Sequence, residues 1–181
     1  MSQIEIIDNY LPDDTFNKLQ EDLLSHKFPW YFNEHIIKGL EVISIDNSVS
    51  DYRRLSVNNY QFTHVIEPPS PLLDIIVPLF DKINPKEIIR CKLNLNPITQ
   101  QHEQSPYHVD QNENTNHKIA IYYINTNNGY TIFEHNKQQV ESIANRIVIF
   151  DGHLKHAGVS STDTKRRVVL NLNYMEELWK S

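Results

Sequence analysis

Arg146-Ile-Val-Ile-Phe-Asp-Gly-His-Leu-Lys-His-Ala-Gly-Val-Ser160, followed after a short polar gap by Arg166-Arg-Val-Val-Leu-Asn-Leu-Asn-Tyr174, reads as strands joined by tight turns. Ile147 to Phe150 form a β-rich apolar run that stops at Asp151-Gly152, a turn dipeptide. In the later stretch Arg167, Val169, Asn171 and Asn173 fall on one face and Arg166, Val168, Leu170 and Leu172 on the other. A period of two fits a strand with two unlike faces and not a helix.

The same grammar extends back to Glu87. Short β-rich runs separated by Asn, Gly, Asp and Ser occur at Ile88 to Leu95, Tyr107 to Val109, Lys118 to Ile124, Tyr130 to Phe133, Gln139 to Ile143, Arg146 to Phe150, His156 to Val159 and Arg167 to Tyr174. About eight antiparallel strands of this kind predict a jelly roll, or double-stranded β-helix. Upstream, Phe16, Leu19, Leu23 and Leu24 follow Pro12-Asp13-Asp14 at helical spacing and predict a helix from about Asp13 to His26. Ser70-Pro71 opens a second helix with Leu72, Ile75, Ile76, Leu79 and Phe80 on one face, kinked or split by Pro78. Ile4 to Ile7, Val42 to Ile45 and Val57 to Ile66 are further strand candidates, and Pro68-Pro69-Ser70-Pro71 is a stiff connector. The fold class expected is mainly β with N-terminal helices. One domain spans 1–181, with supporting elements over 1–86 and the jelly-roll core over 87–174.

Composition narrows the chemistry. With 39% hydrophobic and 22% charged residues the chain reads as an ordinary globular protein, and its apolar runs are far shorter than the roughly 20 residues of a membrane span. The first residues, Met-Ser-Gln-Ile-Glu-Ile-Ile-Asp, lack the pattern of a secretory signal, so a cytoplasmic location is the expectation. Cys91 is the only cysteine, which excludes an intrachain disulfide and a thiolate zinc cluster built from this chain alone. Any metal must be held by imidazole and carboxylate. A formal charge of −6 argues against a broad nucleic-acid surface, the basic groups clustering only at Arg53-Arg54 and Lys165-Arg166-Arg167.

His108-Val109-Asp110 places an imidazole and a carboxylate two residues apart, on the same face of a strand. A later histidine, His153 or His156, follows the Asp-Gly turn, and an arginine, Arg166 or Arg167, opens the next strand. Two histidines and one carboxylate with open coordination positions form the facial triad of non-haem iron(II) oxygenases.

Over Glu87 to Tyr174 the pattern resembles the 2-oxoglutarate and iron(II)-dependent oxygenases, in particular their prolyl-4-hydroxylase-like branch. The resemblance rests on four motifs in order: His108-x-Asp110, the strand Ile119-Ala-Ile-Tyr-Tyr-Ile-Asn125, the turn and strand Gly129-Tyr-Thr-Ile-Phe133, and a distal His and Arg. It implies His108, Asp110 and His156 as iron(II) ligands. His156 is preferred to His153 because it stands immediately before Ala157-Gly158. It implies Arg167, seven residues before the aromatic Tyr174, as the partner of the distal carboxylate of 2-oxoglutarate, where a planar guanidinium makes a bidentate pair. Arg166 is then an outward charge or a residue of the pocket lip. Tyr123 is implied as a second donor to that carboxylate, and Asn94, more loosely, as a polar contact to 2-oxoglutarate where relatives often carry a tyrosine.

His102, Glu103, His117 and His135 lie in polar loops or at strand ends and read as solvated surface. Trp30, Tyr31, Phe32, Tyr60, Phe62 and His64 are either core aromatics or a substrate entrance. The activity the resemblance implies is hydroxylation of a peptidyl or small-molecule substrate, with dioxygen consumed and succinate and carbon dioxide released. A nucleic-acid demethylase of the same superfamily and a non-catalytic jelly-roll binding module are the alternatives.

Overall fold

The computed structural model describes residues 4–36, 43–44, 60–67, 69–110 and 117–176. Strands β1 (Ile4–Ile7), β2 (Tyr31–Asn33), β3 (Ile43–Ser44), β4 (Gln61–Val65), β5 (Glu87–Pro97), β6 (Glu103–Gln104), β7 (Lys118–Tyr123), β8 (Tyr130–Phe133), β9 (Gln139–Glu141), β10 (Arg146–Asp151), β11 (His156–Val159) and β12 (Arg166–Met175) accompany helices α1 (Asp13–Leu24) and α2 (Leu73–Ile83). All strand pairings are antiparallel. A seven-stranded sheet runs β1-β10-β7-β12-β5-β4-β2 and a five-stranded sheet runs β3-β6-β11-β8-β9, the two-sheet arrangement of a jelly roll.

Strand alternation explains the layering. Ala120, Tyr122, Val168, Leu170, Leu172, Cys91 and Leu93 leave the seven-stranded sheet on one side and pack with Phe16, Leu19 and Leu23 of α1 and with Ile76 and Leu79 of α2. Their neighbours Ile119, Ile121, Tyr123 and Val169 leave it on the other side and form the inner cluster with Phe133, Val140 and Phe150. Each fully buried Val, Leu, Ile or Phe among them contributes about 1.5–3 kcal/mol of transfer free energy.

Several expectations are revised by packing. Tyr107 to Val109 is not a strand: His108 makes only an isolated bridge with His156, and the neighbouring short strand is β6 instead. Pro78 sits inside a continuous α2, where the carbonyl it leaves unbonded belongs to exposed Asp74 and meets water. Asn84 then closes α2 in a left-handed conformation, φ 52°, its N–H bonded to the Phe80 carbonyl at 2.8 Å. Of the strand candidates Val42 to Ile45 and Val57 to Ile66, only Ile43–Ser44 and Gln61–Val65 are seen as strand, and Val42, Ile45 and 57–59 lie outside the described residues. Arg53-Arg54 and Pro68 also lie outside them. Among the described residues no helix is long and apolar enough to cross a membrane.

Candidate metal centre and its cavity

His108 and His156 are brought together by the backbone. Each donates its N–H to the other's carbonyl at 3.0 Å, the hydrogen-bonded pair of an antiparallel bridge. Their rings lie 4.7 Å apart. One ligand atom from each of His108, Asp110 and His156 falls within 4.8 Å of the others, and His108 Nε2 is 3.5 Å from Asp110 Oδ1. His153 is exposed and stands outside this group.

Both imidazoles are oriented by the same local device. His108 Nδ1 lies 3.0 Å from the Pro106 carbonyl and His156 Nδ1 lies 3.2 Å from the Leu154 carbonyl. A carbonyl only accepts, so each Nδ1 carries the proton and each Nε2 lone pair is left to bind an ion. Asp110 is held just as firmly. Its Oδ2 accepts from Asn171 Nδ2 at 2.8 Å and Asn173 Nδ2 at 3.2 Å, while its Oδ1, the oxygen facing His108, is 3.2 Å from the Arg90 guanidinium.

Electrostatics follow from this enclosure. Burial pushes the His156 imidazole down to about 4, which keeps it neutral and ready to coordinate. Burial opposes the charge on Asp110, yet His108, His156 and Arg90 hold its carboxyl well below the usual carboxylate range. The donor set is therefore two imidazoles and one carboxylate, with no thiolate; it fits iron(II) and leaves coordination positions free.

The three side chains line one end of a cavity whose empty space, counted out to its open mouth, is about 930 Å³. Arg167 lines it too, while Arg166 turns to the opposite face and donates to the Leu24 carbonyl at the end of α1 at 2.7 Å. Arg167 is 4% exposed, donates through Nε to Ser142 Oγ at 2.9 Å and through a terminal nitrogen to Thr131 Oγ1 at 3.3 Å, and among the described residues has no carboxylate partner. Burial lowers its pKa from the ordinary guanidinium value, the mark of a charge kept from water.

Tyr123 sits one layer back. It is completely buried, burial raises its pKa, and its hydroxyl donates to Thr131 Oγ1 at 2.8 Å, with the Arg167 guanidinium 5.7 Å from its ring centre. Thr131, not Tyr123, is the residue on the cavity wall. Asn94 is on the wall, with a buried Oδ1 that has no hydrogen-bond partner. Lys92 and Asn96, on the same face of β5, line it as well.

Of the four residues read as solvated surface, Glu103, His117 and His102 depart from that reading and His135 keeps it. Glu103 lines the cavity from β6 and is not simply solvated. His117 is buried, its ring filling the space where a side chain at Gly152 would stand. His102 is half-buried with Nδ1 2.8 Å from the Ser160 carbonyl, and His135 is exposed. Of the aromatics, Tyr60 reaches the cavity; Tyr31 and Phe32 are exposed, Phe32 touching Tyr60 and Phe62 at 5.6 and 5.7 Å between ring centres and Tyr31 lying 5.5 Å from His64. Trp30 and His64 pack instead against Phe28. Asn171, Asn173, Thr131 and Ser142 are the site residues that sequence reasoning did not assign. The alternation of β12 had placed both asparagines on the face of Arg167, which was the available signal.

No family model matches the chain and no curated protein matches it in sequence. Solved structures do match its fold. A prolyl hydroxylase from Trichoplax adhaerens, in complex with a hypoxia inducible factor oxygen degradation domain peptide, superposes with TM-score 0.63 at 14% identity, over 96% of this chain and 84% of that one. A prolyl-4-hydroxylase from Pseudomonas putida gives 0.58 at 13% identity over 98% and 94%, and HygX from Streptomyces hygroscopicus, with nickel and 2-oxoglutarate bound, gives 0.60 at 9% over 98% and 84%. At these identities the likeness is one of fold.

Proposed function

We propose that the chain is a single-domain iron(II)- and 2-oxoglutarate-dependent oxygenase that hydroxylates a C–H bond of a peptidyl or small-molecule substrate. The observation that carries this reading is the placement of His108, Asp110 and His156 within 4.8 Å at one end of a cavity that also holds the buried Arg167, which has no carboxylate partner among the described residues. The fold shared with a nickel- and 2-oxoglutarate-bound structure and with two prolyl hydroxylases supports it.

His108, Asp110 and His156 would hold the iron, and Arg167 and Thr131 would receive the distal carboxylate of 2-oxoglutarate. Bound together, the metal and co-substrate supply dioxygen activation coupled to decarboxylation, which yields succinate, carbon dioxide and a hydroxylated product. The chain's own part is positional. Asn171, Asn173 and the two backbone carbonyls fix the ligands, and Ile121 and Val169 contribute apolar surface to the cavity wall. A buried guanidinium satisfied only by hydroxyls favours a dicarboxylate, since a mono-acid would leave its charge uncompensated.

The test is succinate release with iron(II), 2-oxoglutarate and dioxygen, together with a mass-spectrometric search for a +16 product in lysate. Asp110→Ala and His156→Ala should abolish turnover and stoichiometric metal uptake while cooperative unfolding is retained. Metal uptake without any 2-oxoglutarate consumption would favour a non-catalytic binding module.

A further inference from the structure

Arg167 is not the cavity's single cation. Lys92 lines the same wall, and among the described residues no carboxylate lies within the 4.0 Å of an ion pair with it. Burial pulls the Lys92 ammonium below its ordinary pKa and the charge of Arg90 adds to this, with Asp110 only partly opposing. A partly buried ammonium beside a second cation is stabilised by any anion that reaches it.

Strand register shows where the two cations stand. Lys92 is paired with Asn171, whose amide holds Asp110 at 2.8 Å, so Lys92 is level with the triad. Arg167 is paired with Asn96, roughly 13 Å further along β5 at the usual strand rise. A dicarboxylate that chelates at the triad and reaches Arg167 with its tail satisfies the second cation and leaves the first. Between them lies Asn94, paired with Val169, whose buried Oδ1 has no partner and faces the cavity as an acceptor.

We propose that Lys92 anchors an oxyanion, a carboxylate or a phosphate, on the primary substrate, with Asn94 accepting from a neighbouring N–H or O–H of the same molecule. The inference rests on the oxygenase reading above and narrows its substrate class to anionic molecules or chain ends. Lys92 is then a specificity-determining residue: it selects the charged end and fixes which carbon of the substrate faces the triad.

The experiment uses the chain loaded with iron(II) and 2-oxoglutarate under nitrogen, so that Arg167 is already occupied. Two probe pairs are followed by saturation-transfer NMR: N-acetylglycine against N-acetylglycinamide, and methyl phosphate against trimethyl phosphate. At least one anionic probe should bind at least tenfold more tightly than its neutral partner, and which pair responds distinguishes carboxylate from phosphate. Lys92→Met should abolish that preference and Lys92→Arg should retain it, with 2-oxoglutarate affinity unchanged within twofold in both. Equal anion binding by the parent and Lys92→Met, or no anion preference in the parent, overturns the proposal. So does a tenfold loss of 2-oxoglutarate affinity in Lys92→Met, which would make Lys92 part of the co-substrate site. If the parent takes up neither metal nor 2-oxoglutarate, the oxygenase reading fails separately, and the same probes on the metal-free chain still decide whether Lys92 selects anions.

Discussion

His108 and His156 exchange both backbone hydrogen bonds at 3.0 Å and so form a two-residue bridge that sets their imidazoles 4.7 Å apart. The two rings are therefore positioned by the main chain before any ion arrives. Asp110 depends instead on side chains of β12 and β5, and this division of labour shapes what each substitution should do.

Asn171→Leu removes the shorter of the two amide bonds to Asp110 Oδ2 while leaving all three proposed ligands in place. Metal affinity should fall by about 10–100-fold, the usual effect of losing a group that orients a ligand. Titration with iron(II) or cobalt(II) under nitrogen checks it. An unchanged affinity would mean that Asn173 and Arg90 suffice to hold the carboxylate.

Arg167→Ala should raise the KM for 2-oxoglutarate steeply and leave metal uptake intact, because the guanidinium touches Ser142 and Thr131 and none of the triad. Thr131→Val and Tyr123→Phe should have graded effects, with Thr131→Val the larger at about 1–3 kcal/mol of 2-oxoglutarate binding and Tyr123→Phe at about 1. The ordering follows from Thr131 being on the wall and Tyr123 acting through it. Anaerobic titration of the three variants would reveal a reversed order if the Tyr123 hydroxyl meets the co-substrate directly.

Gly129→Ala should weaken 2-oxoglutarate binding from outside the cavity. A Cβ at Gly129 would stand 2.7 Å from the Val159 carbonyl oxygen and 2.8 Å from Arg167 Cδ, so either β11 or the arginine must shift. Both thermal stability, by about 1–3 kcal/mol for an overpacked site, and co-substrate affinity should drop together. Loss of stability with affinity retained would show that the backbone yields and the arginine does not.

The metal-free chain should lose stability as pH falls from about 6.5 to 4. His156 titrates at 6.5 when unperturbed and at about 4 when folded, so in that window the unfolded chain binds the extra proton and acid favours unfolding. The difference is on the order of 3 kcal/mol. Asp110, whose carboxyl is also depressed, adds a further loss at still lower pH, as protonation cancels what its partners contribute. Urea midpoints across this range should be steeper for the parent than for His156→Gln; parallel curves would place the acid sensitivity elsewhere.

Much of this was legible because strand periodicity is local. The alternation in Arg166 to Tyr174 separates the residue that meets the α1 terminus from the one that meets the cavity, and the structure places Arg166 and Arg167 on those two sides. The i, i+2 spacing of His108 and Asp110 likewise puts them together, although through a bridge and a bend and not a full strand. Long-range register was not legible. That Asn171 reaches Asp110, that Thr131 and Ser142 receive Arg167, and that Lys92 stands level with the triad depend on which strands neighbour which, and no window of sequence carries that. His117 was misread for a related reason: its loop position suggests solvent, but the turn at Gly152 folds over it.

Strand β12 lies in the middle of the seven-stranded sheet, between β7 and β5, although it follows both of them, and every other described strand, in chain order. During synthesis β5 and β7 leave the ribosome first, each with an unsatisfied edge reserved for a segment still to be made. Arg167 and the two asparagines that hold Asp110 all arrive on that segment. The nascent chain therefore cannot assemble a complete metal pocket early, and the slot between β5 and β7 is where a foreign strand would be captured if translation stalled. Completion of the proposed metal site is in this sense a late event, reached only when the central strand has been threaded home.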